Sequence, residues 1–359
     1  MEKVLNIGVI GCGEIAQIMH LPYIQELPGL KVHSLCNSSA EAMEFVAEIY
    51  GVPASRCYTD YKEMMLDAEL DAVAICTNDH YDPAMTAIAN GKHIFVEKPL
   101  AFNTRQAKEI VEAAKEKNII VQVGYMKPYD PGFEYFLKCF RELKVVSHLR
   151  MHNFAGDYSF IPKIYDICKK SNTTPEERKR RAEEQDAAVI EEIGTNDPKY
   201  MRAYMNMLLG TTHDSVLLRE MLGDEILVHS SSVDDKGQIL AILQAGDFRF
   251  SWESHFITDR MKWDENMYVY SPERELSLHF PSPYLKNAVT KVKINQNEPE
   301  TGANVDMEIT ASFDESYKRE WREFRDCVLG NKEPKTDAYG GLLDIDLASR
   351  VIRKAIELD

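Results

Sequence analysis

The segment GVIGCGEIA, residues 8–16, constrains the fold more than any other stretch of this chain. It joins a β-rich run, residues 4–10, to residues 14–27, whose apolar positions have helical spacing. A second β-rich run follows at residues 31–36. A glycine-rich turn between a strand and a helix, with a further strand behind it, predicts a βαβ unit.

Three residues of this turn, Gly11, Gly13 and Ala16, match the pattern G-x-G-x-x-G/A. In that pattern the first glycine makes the tight turn, the second lets backbone N–H groups approach a pyrophosphate, and the small third residue allows close packing. The phosphates then lie at the helix N-terminus, here Glu14 and Ile15. We expect a dinucleotide site; the alternative is a turn of small residues that only packs.

Strands and helices continue to alternate as far as residue 125. The spacing of apolar residues predicts helices over 39–50, 83–90 and 103–117 and strands over 71–76, 93–97 and 119–123. Such alternation requires a parallel sheet with helices on both faces. We therefore assign residues 1–125 to the α/β class, as a Rossmann NAD(P)-binding domain.

The second strand ends in Cys36-Asn37-Ser38-Ser39, without the acidic residue that usually binds the adenosine ribose. The side chain of Asn37 can hydrogen-bond a ribose, and Ser38 and Ser39 can accommodate a 2′-phosphate. No arginine stands beside them in the sequence. This favours NAD, although NADP stays open.

Charge and apolar patterning favour a small-molecule partner. Acidic residues outnumber basic ones by 58 to 42, giving a net charge of -16, which argues against binding nucleic acid or an anionic membrane. The apolar runs are too short to cross a bilayer, and the first residues lack the features of a signal peptide. We expect a cytoplasmic protein. Its seven cysteines, an odd number without CxxC spacing, predict neither disulfides nor a zinc site, and we expect no metal.

The segment GKHIFVEKPL, residues 91–100, follows the ICTNDH stretch and a short predicted helix. Together with GVIGCGEIAQIMHLP, it resembles the Gfo/Idh/MocA family of oxidoreductases, and the EKP tripeptide is the most specific element. The resemblance places Lys98 beside the nicotinamide and the reacting hydroxyl. A partly desolvated lysine near a nicotinamide cation should have a lowered pKa and can exchange the alcohol proton. The further cofactor contacts that we expect are Thr77, Asn78, His80 and Glu97.

The resemblance also implies a second, α+β domain with an open, mostly antiparallel sheet. Strands are predicted over 145–154, 226–233, 238–245, 249–258, 267–270, 275–279 and 290–294, and helices over 317–330 and 341–358. We assign residues 126–359 to this domain, with a helical insertion at about 156–209. The sheet of this domain is expected to form the interface of a homo-oligomer, either a dimer or a tetramer. Within the insertion, Thr174-Pro175 predicts a helix start, and glutamates interleave the KRR run as on a solvated helix face.

Substrate contacts are expected from the second domain. Lys127 and Tyr129 lie in a segment that resembles the family's entry into this domain, although turn chemistry alone also accounts for its composition. His152 and Asn153 lie on a predicted strand, with packing as the alternative for His152. Thr212 precedes a histidine that the resemblance singles out.

That histidine is His213, in the segment GTTHDSVLLREMLG, residues 210–223. In the family a histidine opens this helix and lies opposite the lysine, so the resemblance implies that His213 orients the hydroxyl or relays its proton. The aspartate that members commonly carry one turn earlier is replaced by Leu209. Asp214 follows Thr211 at the T-x-x-D spacing, which predicts a capping box.

These features predict an NAD(P)-dependent oxidoreductase that moves a hydride between nicotinamide and a secondary hydroxyl of a sugar, glycoside or cyclic polyol. Two alternatives stay open. One is an enzyme that retains its cofactor and cleaves glycosides by oxidation and elimination. The other is a catalytically inactive nucleotide-binding scaffold, which Leu209 and Asn37 favour.

Overall fold

The protein is described from a computed structural model that covers residues 3–170, 172–257 and 259–359, without the side chain of Pro162. Its chain divides into two compact units. The first consists of Met1–Tyr125, Ile161–Ala188 and Tyr317–Ile345, and the second of Met126–Phe160, Val189–Ser316 and Asp346–Asp359.

The first unit contains a six-stranded parallel sheet. Its strands are β1 (Leu5–Ile10), β2 (Leu30–Cys36), β3 (Cys57–Tyr58), β4 (Ala72–Ile75), β5 (His93–Glu97) and β6 (Val121–Gly124). They lie in the order β3-β2-β1-β4-β5-β6. The strand order reverses between β1 and β4, and the carboxyl ends of strands at such a reversal form the crevice that binds ligands in this kind of sheet. The predicted Rossmann fold is confirmed.

The second unit contains an eight-stranded sheet. Its strands are β7 (His148–Gly156), β8 (Ile226–Val233), β9 (Ile239–Ala245), β10 (Phe248–Ile257), β11 (Asp264–Tyr270), β12 (Arg274–Phe280), β13 (Lys291–Asn297) and β14 (Asn304–Thr310). The order is β14-β13-β12-β11-β7-β10-β9-β8. Strands β7 and β10 pair in parallel, whereas the other named neighbours are antiparallel. The mostly antiparallel sheet is therefore confirmed.

Eleven α-helices occur in the described residues: α1 (Leu21–Glu26), α2 (Ala40–Tyr50), α3 (Tyr61–Met65), α4 (Tyr81–Ala89), α5 (Thr104–Lys117), α6 (Pro131–Arg141), α7 (Pro175–Ile193), α8 (Pro198–Asn206), α9 (Thr212–Leu222), α10 (Ser316–Gly330) and α11 (Ala338–Leu358). Two π-helical turns, Ala16–His20 and Met207–Thr211, precede α1 and α9. Short 3₁₀ turns lie at Ala54–Arg56, Lys127–Tyr129 and Ile161–Lys163. None of the helices in the described part of the chain has the length and apolar character that a membrane span requires.

The sequence predicts domains at residues 1–125 and 126–359, and this division stays a prediction. Each compact unit is discontinuous in sequence, since segments 161–188 and 317–345 group with Met1–Tyr125. In the second of these segments, Trp321 of α10 stacks on Phe95 of β5 with ring centroids 4.3 Å apart. Contacts with a distant part of the chain decide this packing, and local sequence patterns do not encode them.

Candidate active site

The glycine-rich turn has the geometry that a dinucleotide requires. Gly11 has a φ of +92°, and a Cβ atom there would lie 2.9 Å from the backbone carbonyl of Cys76. At Gly13 an added Cβ would meet no atom within 4 Å. The turn is thus closed around Gly11 and open at Gly13, so a pyrophosphate could approach the backbone at the head of the helical segment.

The Asn37 side chain braces this turn. Its Oδ1 accepts a hydrogen bond from the backbone N–H of Cys12 at 3.2 Å, and its Nδ2 donates to the carbonyl of Ser39 at 3.1 Å. The Ser39 hydroxyl caps α2 by accepting from the Ala42 N–H. Two of these polar groups are therefore engaged in local structure, while Ser38 is exposed.

A cavity of about 420 Å³ opens beside these residues in the first unit, and its lining includes Gly11, Asn37, Ser38 and Thr77. Arg180 and Arg181 of α7 line the same cavity. No arginine adjoins Ser38 in the sequence, but the fold brings two to its cavity. Each is part of an exposed ion pair, Arg180 with Glu184 at 2.7 Å and Arg181 with Glu177. Such pairs contribute little to stability, so a phosphate can compete for either guanidinium.

The segment before α7 is bound to the glycine-rich turn. The Gln17 side chain donates to the carbonyls of Cys12 at 2.7 Å and Cys168 at 2.9 Å, and it accepts from the Cys168 N–H at 2.9 Å. Lys169 forms an ion pair with Glu14 at 2.7 Å. Residues 168–169 are thus fixed to the start of the first helical segment. The predicted helix start at Thr174-Pro175 is confirmed, because the Thr174 hydroxyl accepts from the Glu177 N–H.

Lys98 follows β5 directly, at its carboxyl end. Burial lowers the pKa of its ammonium, while the neighbouring charge of Glu97 opposes this shift. The peptide bond between Lys98 and Pro99 is cis. The His80 side chain lies on the Pro99 carbonyl, with Nδ1 2.5 Å from the oxygen. Because burial lowers the pKa of His80, its ring is neutral at pH 7 and Nδ1 carries the hydrogen.

The predicted cofactor contacts differ in exposure. The Glu97 carboxylate is buried and bound internally, to His20 and to the backbone N–H of Lys98. Thr77 lines the cavity, and its hydroxyl donates to the Asp79 carbonyl at 2.7 Å. Asn78 is exposed and His80 is buried. Of these side chains, those of Glu97 and His80 brace the loop that carries Lys98.

In the second unit, three charged side chains meet below the start of α9. Lys127 is 2 % exposed and contacts the carboxylate of Glu265, with Asp214 Oδ1 3.8 Å from its Nζ. Both carboxylates are fully buried. The indole of Trp252 donates to Asp214 at 3.2 Å, and that of Trp263 donates to Glu265 at 2.8 Å. We call Lys127, Asp214 and Glu265 the buried charge cluster.

The capping interpretation of Asp214 is wrong. Thr211 has helical backbone angles and its side chain caps nothing, because the π-turn runs directly into α9. The Thr211 hydroxyl pairs with that of Ser254 at 2.8 Å instead. Burial raises the pKa of Asp214, and Lys127 and the donor from Trp252 oppose the shift.

Two of the predicted substrate residues belong to the buried charge cluster or contact it, and the other four lie outside it. Asn153 joins the buried charge cluster by donating to Asp214 Oδ1 at 3.4 Å, and Lys127 is a member of it. His152 lies 3.2 Å from Asp264 through Nε2. Thr212 is buried and donates to the Leu208 carbonyl at 2.9 Å. Tyr129 is buried, and His213, the second residue of α9, is half-buried.

All seven cysteines have free thiols. One group of possible metal ligands occurs among the described residues: His33, Asp67 and Glu69. The Arg56 guanidinium binds this group, contacting His33 Nδ1 at 3.2 Å and pairing with Glu69. These side chains therefore form a local ion-pair network.

Known proteins resemble both the sequence and the fold. Residues 5–125 match the Gfo/Idh/MocA family, described as an oxidoreductase family with an NAD-binding Rossmann fold. Inositol 2-dehydrogenase of Paracoccus denitrificans is 37 % identical over 142 residues, which cover 39 % of this chain and 42 % of that protein. The sequence similarity thus spans about two fifths of that relative's length.

Solved structures extend the likeness of the fold to the whole chain. An aldose-aldose oxidoreductase from Caulobacter crescentus superposes with a TM-score of 0.75 at 15 % identity, covering 99 % of each chain. A putative NADPH-dependent oxidoreductase from Desulfitobacterium hafniense gives a TM-score of 0.78 at 14 % identity, covering 100 % of this chain and 97 % of the other. The family match and the turn geometry both fall in residues 5–125, so this part of the chain is similar to the NAD-binding Rossmann domain of the Gfo/Idh/MocA oxidoreductases.

Proposed function

We propose that this protein is an NAD(P)-dependent oxidoreductase acting on a secondary hydroxyl of a sugar, glycoside or cyclic polyol. The proposal rests mainly on the placement of Lys98, which follows the carboxyl end of β5 and whose pKa is lowered by burial. A bound nicotinamide supplies the hydride acceptor or donor. The inositol 2-dehydrogenase relative supports a polyol or sugar as the substrate class.

Proton transfer is the task of Lys98 in this proposal. A general base works best when its pKa lies near the operating pH, and burial moves the pKa of this lysine down towards that range. In the oxidation direction the neutral amine takes the hydroxyl proton at Nζ. In the reduction direction the ammonium returns it.

The second unit supplies substrate contacts in this proposal. His213 at the start of α9, which is half-buried, orients the hydroxyl. Thr212, His152 and Tyr129, which are buried, support the binding surface from below. The burial of Lys127 and Asn153 around Asp214 supports a positioning role for these two residues, because their polar groups are engaged with carboxylates.

The test is a screen of myo-inositol, scyllo-inositol, hexoses and glycosides with NAD or NADP, following reduced cofactor at 340 nm. Lys98→Met keeps the length of the side chain without its amine. We expect turnover by the native protein and a loss of about 10²–10⁴-fold in the variant. Lys108→Met, at an exposed position on α5, is the matched control. Equal turnover by Lys98→Met and native protein would refute the proposal.

A second candidate function is an enzyme that retains its cofactor through the cycle. The bonds of Gln17 to Cys168 and of Glu14 to Lys169 favour it, because they fix residues 168–169 at the start of the helical segment expected to hold the phosphates. The Caulobacter neighbour is named as an aldose-aldose oxidoreductase, which fits such chemistry. Absorbance of the purified protein near 340 nm, before and after denaturation and filtration, distinguishes retained from exchangeable cofactor.

We also infer a cytoplasmic homo-oligomer. Free thiols support a reducing compartment. Leu227 and Leu240 are exposed on neighbouring strands of the second sheet, which supports a self-association surface there. Light scattering of the native protein and of Leu240→Lys tests this: the variant should have the lower mass, and a native monomer would contradict the inference.

A further inference from the structure

We propose that Trp321 and His20 are positioning residues, which hold the carboxylate of Glu97 so that the proton affinity of Lys98 stays low. This inference rests on the proposed function only in taking Lys98 as the group that exchanges the proton. All four residues belong to the first unit. They come from three distant parts of the chain and form one line of hydrogen bonds.

The geometry of this line is continuous. Trp321 Nε1 donates to His20 Nδ1 at 3.1 Å, His20 Nε2 lies 2.7 Å from Glu97 Oε1, and the backbone N–H of Lys98 donates to Glu97 Oε2 at 3.2 Å. Trp321 and His20 are fully buried. Phe95 stacks on Trp321, and its ring lies 5.2 Å from that of His20 at an edge-on angle. The line of hydrogen bonds therefore lies in an aromatic cluster.

The donor at one end fixes the tautomer of His20. An indole N–H can only donate, so His20 Nδ1 must offer its lone pair. Nε2 then carries the only ring hydrogen and donates it to Glu97. His20 is thus neutral and acts on Glu97 through a directed hydrogen bond. Burial alone would raise the pKa of Glu97, but the bond from His20 and the nearby charges lower it, so Glu97 is an anion at pH 7.

Both carboxylate oxygens of Glu97 therefore accept a hydrogen bond, Oε1 from His20 and Oε2 from the backbone N–H of Lys98. Among the described residues, the titratable groups that act on this carboxylate include His80 and Cys76, and Cys12 and Glu320 of α10 lie near Cys76. Burial lowers the pKa of His80 and raises that of Cys76, which leaves both neutral at pH 7. When His20 is removed, Glu97 can turn its released oxygen and its undivided charge towards the Lys98 ammonium. An opposite charge at closer range raises the pKa of a lysine.

The test measures Lys98 directly and needs neither substrate nor turnover. The native protein without added cofactor is labelled with acetic anhydride at a series of pH values, and acetylation of Lys98 is quantified by peptide mass spectrometry. His20→Leu should move the labelling midpoint up by about one pH unit. Trp321→Phe, which releases the ring of His20, should move it in the same direction. His20→Gln, whose amide can accept from Trp321 and donate to Glu97, should restore the native midpoint.

Phe324→Leu is the matched control, because Phe324 packs edge-on against Phe95 and Trp321 without joining the hydrogen bonds. It should leave the midpoint of Lys98 unchanged. If His20→Leu also left it unchanged, or if Phe324→Leu moved it equally, the positioning role would be overturned. Should His20→Leu fail to fold, Trp321→Phe and His20→Gln decide the question. A Lys98→Met protein with native turnover would refute the proposed function alone, since the midpoint does not depend on activity.

Discussion

Replacing Lys127 with methionine should destabilise the protein strongly. The methionine side chain fills most of the space of the lysine but leaves Asp214 and Glu265 without their common cation. Lys127 is 2 % exposed and both carboxylates are fully buried, so water cannot take over the role of the ammonium.

The magnitude follows from the cost of an uncompensated buried charge. Removing one partner of a buried ion pair costs about 3–5 kcal/mol. The donors from Trp252 and Trp263 remain and offset part of this, but two carboxylates lose their cation together, so we expect about 4 kcal/mol. Domains of this kind are stable by about 5–15 kcal/mol, so the loss is a large fraction of the total.

The assay is urea unfolding followed by tryptophan fluorescence, for which Trp252 and Trp263 are local reporters. Lys293→Met is the control, because Lys293 forms a half-exposed pair with Glu308 and its loss should cost at most about 1 kcal/mol. Adding Asp214→Asn to Lys127→Met should recover part of the loss. A double variant as unstable as Lys127→Met would show that the carboxylate charge is not the cause.

The loss of unfolding free energy caused by Lys127→Met should also depend on pH, and the pKa of Asp214 determines the direction. Burial raises the pKa of Asp214, and losing Lys127 removes a group that opposes the shift. Asp214 then binds its proton more tightly in the folded variant than in the unfolded chain. Its contribution to stability is therefore fully present below the ordinary pKa of an aspartate, and it is lost as the pH rises through the pKa of the folded state. The difference from the native protein should be smaller at pH 5 than at pH 8. A deficit below about 1 kcal/mol at pH 8 would refute the reasoning.

In the first unit, Gly11→Ala should lower the free energy of unfolding by on the order of 1–3 kcal/mol, measured in urea, because alanine is strained at this positive φ. Gly13→Val should keep the native urea midpoint but weaken NAD binding at least about tenfold in a fluorescence titration, since its side chain enters open space. Arg180→Ala and Arg181→Ala should reduce kcat/KM with NADP more than with NAD, and equal losses would exclude a phosphate contact. Gln17→Ala should release NAD about thirtyfold faster in stopped flow, because about 1 kcal/mol is lost for each of two bonds to Cys168; an unchanged rate would contradict this.

The elements that were predicted well are those in which local pattern and packing agree. Strand β5 begins and ends at the predicted residues, because every buried position but the last is also a strong strand former. Strand β14, NVDMEIT, was not predicted, since it lies at the edge of the second sheet and much of it is exposed. Helix α6 was not predicted either. Its start at Asp130-Pro131 is a true cap, in which Asp130 accepts from Gly132 and Phe133, but proline and aspartate are equally typical of turns.

In the candidate site, the spacing of residues along the sequence does not reveal contacts with side chains that are distant in the chain. The T-x-x-D pattern at Thr211 is compatible with a capping box, yet Asp214 instead binds Trp252 and lies near Lys127, residues 38 and 87 positions away. The arginines of α7 are exposed and pair with glutamates four residues away, as the interleaved sequence indicates. Nothing in their segment indicates that they reach the cavity of Ser38, because that contact depends on how distant parts of the chain pack.

Leu209 is a weaker argument against activity in the structure than in the sequence. A helical wheel of 3.6 residues per turn places residues 209 and 213 on one face, so a leucine at 209 predicts an apolar neighbour for His213. The π-turn Met207–Thr211 widens the spacing at this point, and Leu209 is 49 % exposed.

A carboxylate is nevertheless present next to His213 in the sequence, on Asp214, and it is buried with a lysine and a second carboxylate. Taking three charges out of water is costly, and apolar residues of similar volume often stabilise a protein at least as well. Asp214, a member of this cluster, is therefore the carboxylate to replace first when the proposed role of His213 is tested.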